Sequence, residues 1–318
     1  MKRGLVGIVM LLLLMLPVAG IVAEKKMKWD PNANVIYGDG IVIMFHDRRP
    51  KYHIWIPNKN KTAVYIINFN RIIEFVDIDN NGKYNDAHDR IISIAPLTAH
   101  DVWQVSSSER TLEDGTHELI IIFKGIVEVK PSSRYSEKRV VNVTFVNHIY
   151  DRDVEIEGYT LAGGRELKID IIIEHWPWFE ENSKLALEIV FAGMFHGKWG
   201  SPKCESKKIE LKNANMYTVR LQGDADYYCE FKFQDRAKIK NESGEHICKL
   251  NSSENFKANS AVMYIVYPHF NGTLIHDPSI TVESSGFSFL ETVKMLLPPI
   301  IVVFVVVIVL AIIIKHRK

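Results

Sequence analysis

The chain has 318 residues, 47% of them hydrophobic and 24% charged, with 39 basic side chains against 38 acidic ones. A near-neutral balance of this kind excludes an electrostatic nucleic-acid binder. Three cysteines are too few for a disulfide-built scaffold. The apolar fraction over this length suffices to bury a sizeable core.

At the N-terminus, Lys2 and Arg3 precede an apolar run from Leu5 to Leu16, followed by Pro17 and small residues to Ala23. This order of charge, apolar stretch and small-residue zone predicts a secretory signal peptide over residues 1–23, cut after Gly20 or Ala23. The apolar run is too short to span a hydrocarbon core of about 30 Å. Setting aside two basic residues here and three in the C-terminal tail leaves residues 24–294 with 34 basic and 38 acidic groups.

Beyond the leader the pattern repeats every two residues, as in half-buried strands. Strands are expected at Ile41–Phe45, Tyr52–Ile56, Ala63–Phe69, Arg71–Val76, Asp101–Ser106, Glu118–Val129 and Val140–Asn147. Further candidates are Arg165–His175, Leu185–Phe195, Tyr217–Gln222, Tyr228–Phe233, Val262–Tyr267 and Ser279–Glu283. They are rich in β-branched and aromatic residues, and Gly, Asn, Asp or Pro clusters separate them. The expectation is an all-β, antiparallel β-sandwich ectodomain over residues 24–283. A shift to a more polar, cysteine-bearing stretch near residue 200 leaves open a division into two β modules.

The segment Asp77-Ile-Asp79-Asn-Asn81-Gly82-Lys83-Tyr-Asn85-Asp86-Ala-His88-Asp89 crowds short oxygen-bearing side chains into one turn. Over these 13 residues it resembles the calcium loop of EF-hand and dockerin proteins. The resemblance implies side-chain oxygens from Asp77, Asp79 and Asn81, a sharp turn at Gly82, the Lys83 carbonyl, and Asn85 directly or through water. The closing carboxylate is displaced: His88 stands at position 12, and Asp89 or Asp86 must supply the last oxygens. Strands rather than helices flank the loop, so the implied role of Ca2+ is to rigidify it. A metal-free Asx turn is the plainer alternative.

Five N-x-[ST] sequons, at Asn60, Asn142, Asn241, Asn251 and Asn271, are candidate glycosylation sites of an exported chain. Alternation in Val140–Asn147 turns Val141, Val143 and Phe145 inward and Asn142 outward. Trp176 and Trp178 flank Pro177 at a strand end, where they either stack on a protein or glycan partner or plug the sandwich. Cys229 and Cys248 lie in strand-like runs, and a disulfide between them is expected, with Cys204 left over. Among the 12 histidines, His46, His53 and His100 are the set that neighbouring strands could bring to one metal. No HExxH, GxSxG, SxxK, P-loop or GxGxxG pattern occurs.

Residues 284–294 read as a short stalk. Met295 to Ile314 then carry no charge; 20 residues at about 1.5 Å each match the thickness of the hydrocarbon. Lys315, His316, Arg317 and Lys318 follow, which places a transmembrane helix at 295–314 with a cytoplasmic tail at 315–318 and the N-terminus outside. The sequence therefore points to a single-pass cell-membrane protein with a non-enzymatic structural or adhesive ectodomain. A membrane-tethered extracellular hydrolase acting on carbohydrate is the alternative.

Overall fold

Alternation governs the computed structural model, which describes residues 27–284 apart from 39, 56–62, 100, 157, 196–197, 211–214, 224–226 and 258–259. Every strand pairing is antiparallel, and helix among the described residues is confined to one 3-10 turn at His46–Arg48. No helix among them is long and apolar enough to cross a membrane. The expected leader 1–23, the sequon at Asn60, nearly all of the stalk, the helix 295–314 and the tail 315–318 lie outside the described residues.

Two sheets face each other. The first runs from Lys28–Asp30 through Val35–Tyr37, Val42–Phe45 and Lys51–Trp55 to the long strand Ala63–Val76. It continues through Lys184–Phe195 and Ser260–Tyr267 to the edge strand Asn251–Lys257. Arg90–Pro96 joins the second half of Ala63–Val76 on the side that Lys51–Trp55 leaves free. The second sheet runs Trp103–Thr111, His117–Pro131, Arg139–Tyr150 and Glu166–Glu174. Glu166–Glu174 then pairs with Thr273–His276 and Ser279–Ser284, which act as one kinked strand. These in turn pair with Arg236–Asn241 and Tyr227–Gln234, kinked at Asp235. Asn215–Gln222 and Lys203–Glu210 complete one arm, and Gly244–Lys249 the other. The end of His117–Pro131 also pairs with Arg90–Pro96, stitching the sheets together.

The core lies between them. Phe45 meets Phe123 at 5.0 Å, Phe69 meets Phe145 at 5.0 Å, and Phe191 meets Phe231 at 5.9 Å, each pair crossing from one sheet to the other. Burying one such ring is worth about 1.5–3 kcal/mol. Tyr52, fully buried, donates its hydroxyl to Asn147 Oδ1 at 2.9 Å, and Asn147 in turn donates to the Ile121 carbonyl. Residues beyond 200, including Val219, Leu221, Phe231 and Phe233, belong to the same continuous core.

The break expected at Asn70 is absent: Ala63–Val76 is a single 14-residue strand. Opposite it the register shifts between Glu188 and Ile189, so a bulge absorbs Asn70 as the extra residue. Glu188 binds the Asn70 amide and accepts from Arg71 Nε and Nη2 at 3.0 and 2.7 Å, which satisfies the polar side chains at the bulge.

The expected strand to His175 ends instead at Glu174. His175 takes a left-handed φ of 49°, and the chain then folds over the end of the sandwich. Glu74, fully buried on Ala63–Val76, organises that turn. Its carboxylate accepts from Ser93 Oγ (2.8 Å), Ser183 Oγ (2.7 Å), the backbone N–H groups of Phe179 (2.9 Å) and Glu180 (3.2 Å), and Trp176 Nε1 (3.4 Å). Charge-assisted bonds of this kind offset the cost of burying a carboxylate that has no basic partner among its donors.

Removing that acceptor strands several buried donors at once, each costing about 1–3 kcal/mol. Glu74→Ala is therefore expected to lower unfolding free energy by at least about 3 kcal/mol, read from the denaturant midpoint. A second consequence follows from His276, fully buried beside the Tyr267 hydroxyl 3.0 Å from Nδ1. Burial drives its pKa down to about 3. The unfolded chain takes up this proton below about pH 6.5 while the folded chain does not, so stability falls with pH by up to about 1.4 kcal/mol per unit from this group. Between pH 7 and 5 the wild type should lose about 2 kcal/mol more than His276→Gln, as measured by urea unfolding at each pH.

Candidate metal centre

The turn between Ala63–Val76 and Arg90–Pro96 is the point at which the sequence crowds carboxylates, and the backbone folds them inward. Asn80 and Gly82 both adopt left-handed φ, 56° and 76°. At Gly82 the left-handed backbone favours glycine, and a Cβ there would lie 2.5 Å from Asn251 Nδ2 on the edge strand, a side-chain end that would have to move aside. The reversal lets Asp77 Oδ2 accept from the Gly82 N–H at 2.8 Å. Asp79 Oδ1 accepts from the Asn81 N–H, and Asn81 Oδ1 accepts from that of Lys83.

Carboxylate oxygens of Asp77, Asp79 and Asp89 come within 4.8 Å of one another. Of the two acids that could close the loop, Asp89 does so. A helical turn, with the Asp89 N–H donating to the Asn85 carbonyl at 2.8 Å, rotates Asp89 inward and leaves Asp86 and His88 exposed. Asp89 is held there by the N–H groups of Ile78 (3.1 Å) and Asn85 (2.7 Å). Asn81 and Asn85 are exposed, their amide oxygens bound to the backbone N–H groups of Lys83 and Ala87, and the Lys83 side chain points to solvent. The three aspartates thus converge, and the amide side chains implied by the resemblance are engaged within the loop.

Among the described residues, Lys184 is the cation paired with this cluster. Lys184, at the start of Lys184–Phe195, places Nζ 2.6 Å from Asp77 Oδ2. Burial opposes ionisation of Asp77, but Lys184 and the Gly82 N–H outweigh it and hold its pKa below the usual carboxylate range. One ammonium among three carboxylates leaves negative charge unbalanced, and two carboxylates about 5 Å apart repel by roughly 3 kcal/mol at an effective dielectric of 20. Asp77 Oδ1 is buried and has no hydrogen-bond partner. A bare buried carboxylate oxygen beside two further carboxylates is the donor set that a hard cation takes. The loop is also anchored: Tyr84 packs between Phe75 (4.9 Å) and Tyr264 (4.8 Å), and Ser253 Oγ donates to its carbonyl.

The other expected residues fall as follows. Asn142 is exposed on the outer face of the second sheet, with Val141, Val143 and Phe145 buried as the alternation requires. Asn251 and Asn271 are exposed and Asn241 is half-buried. The disulfide between Cys229 and Cys248 is absent, and all three thiols are free. Cys229 pairs across to Leu221 and Val282, whereas Cys248 pairs with Ala237 on the other arm of the sheet, so their strands are not neighbours. Cys204 and Cys229 both lie opposite Leu221, one strand to either side, a separation of about 10 Å that no disulfide spans.

The tryptophan pair is not an open stacking surface. Trp176 is buried in the core, and Trp178 is half-buried, donating to the Phe270 carbonyl at 2.8 Å and stacking on His269. The Glu74 turn draws both rings inward. His46 and His53 do stack, at 4.9 Å, while His100 lies outside the described residues.

Sequence reasoning missed an ion ladder across the second sheet. His148 lies 2.6 Å from Glu118 and 3.3 Å from Asp170; Arg110 binds Glu118, and Lys168 binds Asp170. Burial opposes the ionisation of both acids, and these partners outweigh it, holding both pKa values low. Its members come from four strands, so only sheet pairing brings them together.

With no disulfide formed, the unfolded chain should titrate three thiols, and reduction should leave its electrophoretic mobility unchanged. No protein-family model matches the chain, and no curated protein matches it significantly.

Proposed function

We propose that the chain is a type I membrane-anchored cell-surface protein, exported by residues 1–23 and held by a helix at 295–314. Its all-β ectodomain serves a structural or adhesive role rather than a catalytic one, and Ca2+ bound by Asp77, Asp79 and Asp89 stabilises the loop that joins two strands of the first sheet. The calcium part of this reading rests on the buried, unpartnered Oδ1 of Asp77 beside two further carboxylates, and the export and anchoring part on the charge and length pattern of the two termini.

A calcium ion there would supply the positive charge that Lys184 alone does not. Its effect reaches beyond the turn, because the loop touches three strands: Asp77 is paired to Lys184 on Lys184–Phe195, Tyr84 to Ser253 on Asn251–Lys257, and Asp89 precedes Arg90–Pro96. The outward face of Asn142 and the exposure of Asn251 and Asn271 accord with glycosylation on an extracellular surface.

The expected outcome is a calcium-dependent rise in melting temperature of the full-length chain in lipid nanodiscs. At a hundredfold excess over Kd the linkage contributes about 2.7 kcal/mol. For a domain of this size that corresponds to about 5–10 °C. Asp77→Ala and Asp79→Ala should each abolish the shift, whatever they do to stability without calcium. An unchanged melting temperature at millimolar calcium sinks the calcium reading.

A further inference from the structure

The outer face of the second sheet carries charged and polar residues that are buried although the core lies on the other side. Leu167, Val219, Leu221, Phe231 and Ile280 point into the core. Their neighbours in sequence therefore point away from it. In register across five strands, Glu205, Arg220, Glu230, Thr281 and Glu166 form one row. One step along lies a second, of Lys207, Thr218, Lys232, Ser279 and Lys168. Glu166, Lys168, Thr218 and Glu230 are only 4%, 7%, 8% and 8% exposed. Part of that shelter is the small hairpin Val154–Ile156 and Tyr159–Leu161, whose Tyr159 and Thr160 help to wall a cavity of about 650 Å³ over the two rows.

We infer that this cavity is a binding site for a neutral saccharide. Its volume lies within the range of small-molecule sites. Among the lining residues, Lys232 Nζ stands 3.7 Å from both Glu166 and Glu230, beyond hydrogen-bond length, so this ammonium keeps the capacity to donate to a bound hydroxyl. Glu230 Oε1 is taken by Arg220 Nε and Nη2, while Oε2 makes only the long approach to Lys232. Donor and acceptor therefore sit side by side, as vicinal hydroxyls require.

Charge narrows the class. The cavity is lined by three acids, Glu166, Glu205 and Glu230, and three bases, Lys207, Arg220 and Lys232. A free anion meets the three carboxylates and a free cation meets the three bases, whereas a neutral polyhydroxyl molecule uses both sets. Ile209, exposed, and Met216 line the same cavity together with Tyr159. They offer apolar surface to the C–H face of a pyranose ring.

The test is titration of the full-length chain in nanodiscs with lactose, maltose, cellobiose and N,N′-diacetylchitobiose, followed by calorimetry and saturation-transfer NMR. At least one of them should bind with Kd of about 1 mM or tighter. Lys232→Gln should weaken that binding at least about tenfold. Because Lys232 neutralises two buried acids and its loss could unfold the chain, Tyr159→Ala on the outer hairpin is the second variant, with the same loss expected. The inference is overturned if none of the four binds at millimolar concentration, or if either variant, still folded, binds as the wild type does. The cavity and the calcium loop lie in different sheets, so a failed saccharide titration leaves the calcium-dependent melting shift to be judged by itself.

Discussion

Glu74 is the group on which the closed end of this sandwich depends. A carboxylate with no exposure has a strong demand for donors, and it meets that demand from the chain on either side of one turn and from the adjacent strand. Because its donors include consecutive backbone N–H groups of Phe179 and Glu180, the turn cannot take another path without leaving the charge bare. From there the effect spreads. Arg90 binds Glu180 through Nη1 and Nη2, Tyr135 donates to the same carboxylate, and Arg139 donates to the Trp178 carbonyl while covering the Phe179 ring. Elements from both sheets are thus tied to a turn whose shape is set from inside.

The same logic explains why the polar groups of this fold are not all at its surface. Glu188 sits at a bulge and Asp235 at a kink, where Asp235 accepts from the Asn215 N–H and gives its carbonyl to the Leu250 N–H. Each places a carboxylate where regular strand pairing fails: Asp235 takes up a backbone N–H, and Glu188 takes up the side chains of Asn70 and Arg71. Buried acids here act as fasteners for irregular backbone. The Asp77 loop differs, since one of its carboxylate oxygens has nothing to fasten.

Much of the strand content was legible in the residues because alternation is a local signal. Val141, Val143 and Phe145 face the core while Asn142 faces out, as period two dictates. The convergence of Asp77 and Asp79 was legible for the same reason, their spacing being local. What could not be read was anything decided by pairing between distant strands. The cysteines look like neighbours along the chain, yet a forked sheet separates Cys229 from Cys248. Beside a proline, Trp176 and Trp178 could either stack outward or plug the sandwich, and the inward turn comes from Glu74, about a hundred residues earlier. Asn70 looks like a strand end until Glu188 provides the bulge that accommodates it. The choice of Asp89 over Asp86 rests on one turn of helical hydrogen bonding that no spacing rule specifies.

The position of the last described strand has a mechanical consequence. Ser279–Ser284 is hydrogen-bonded on both sides, to Glu166–Glu174 and to Tyr227–Gln234, and so lies inside the sheet rather than at its edge. Tension applied through the residues that follow Ser284 would load both ladders in shear at once, instead of peeling them apart bond by bond. A chain held by its C-terminal end would thereby transmit load into the body of the second sheet, with the stitch to Arg90–Pro96 passing it on to the first.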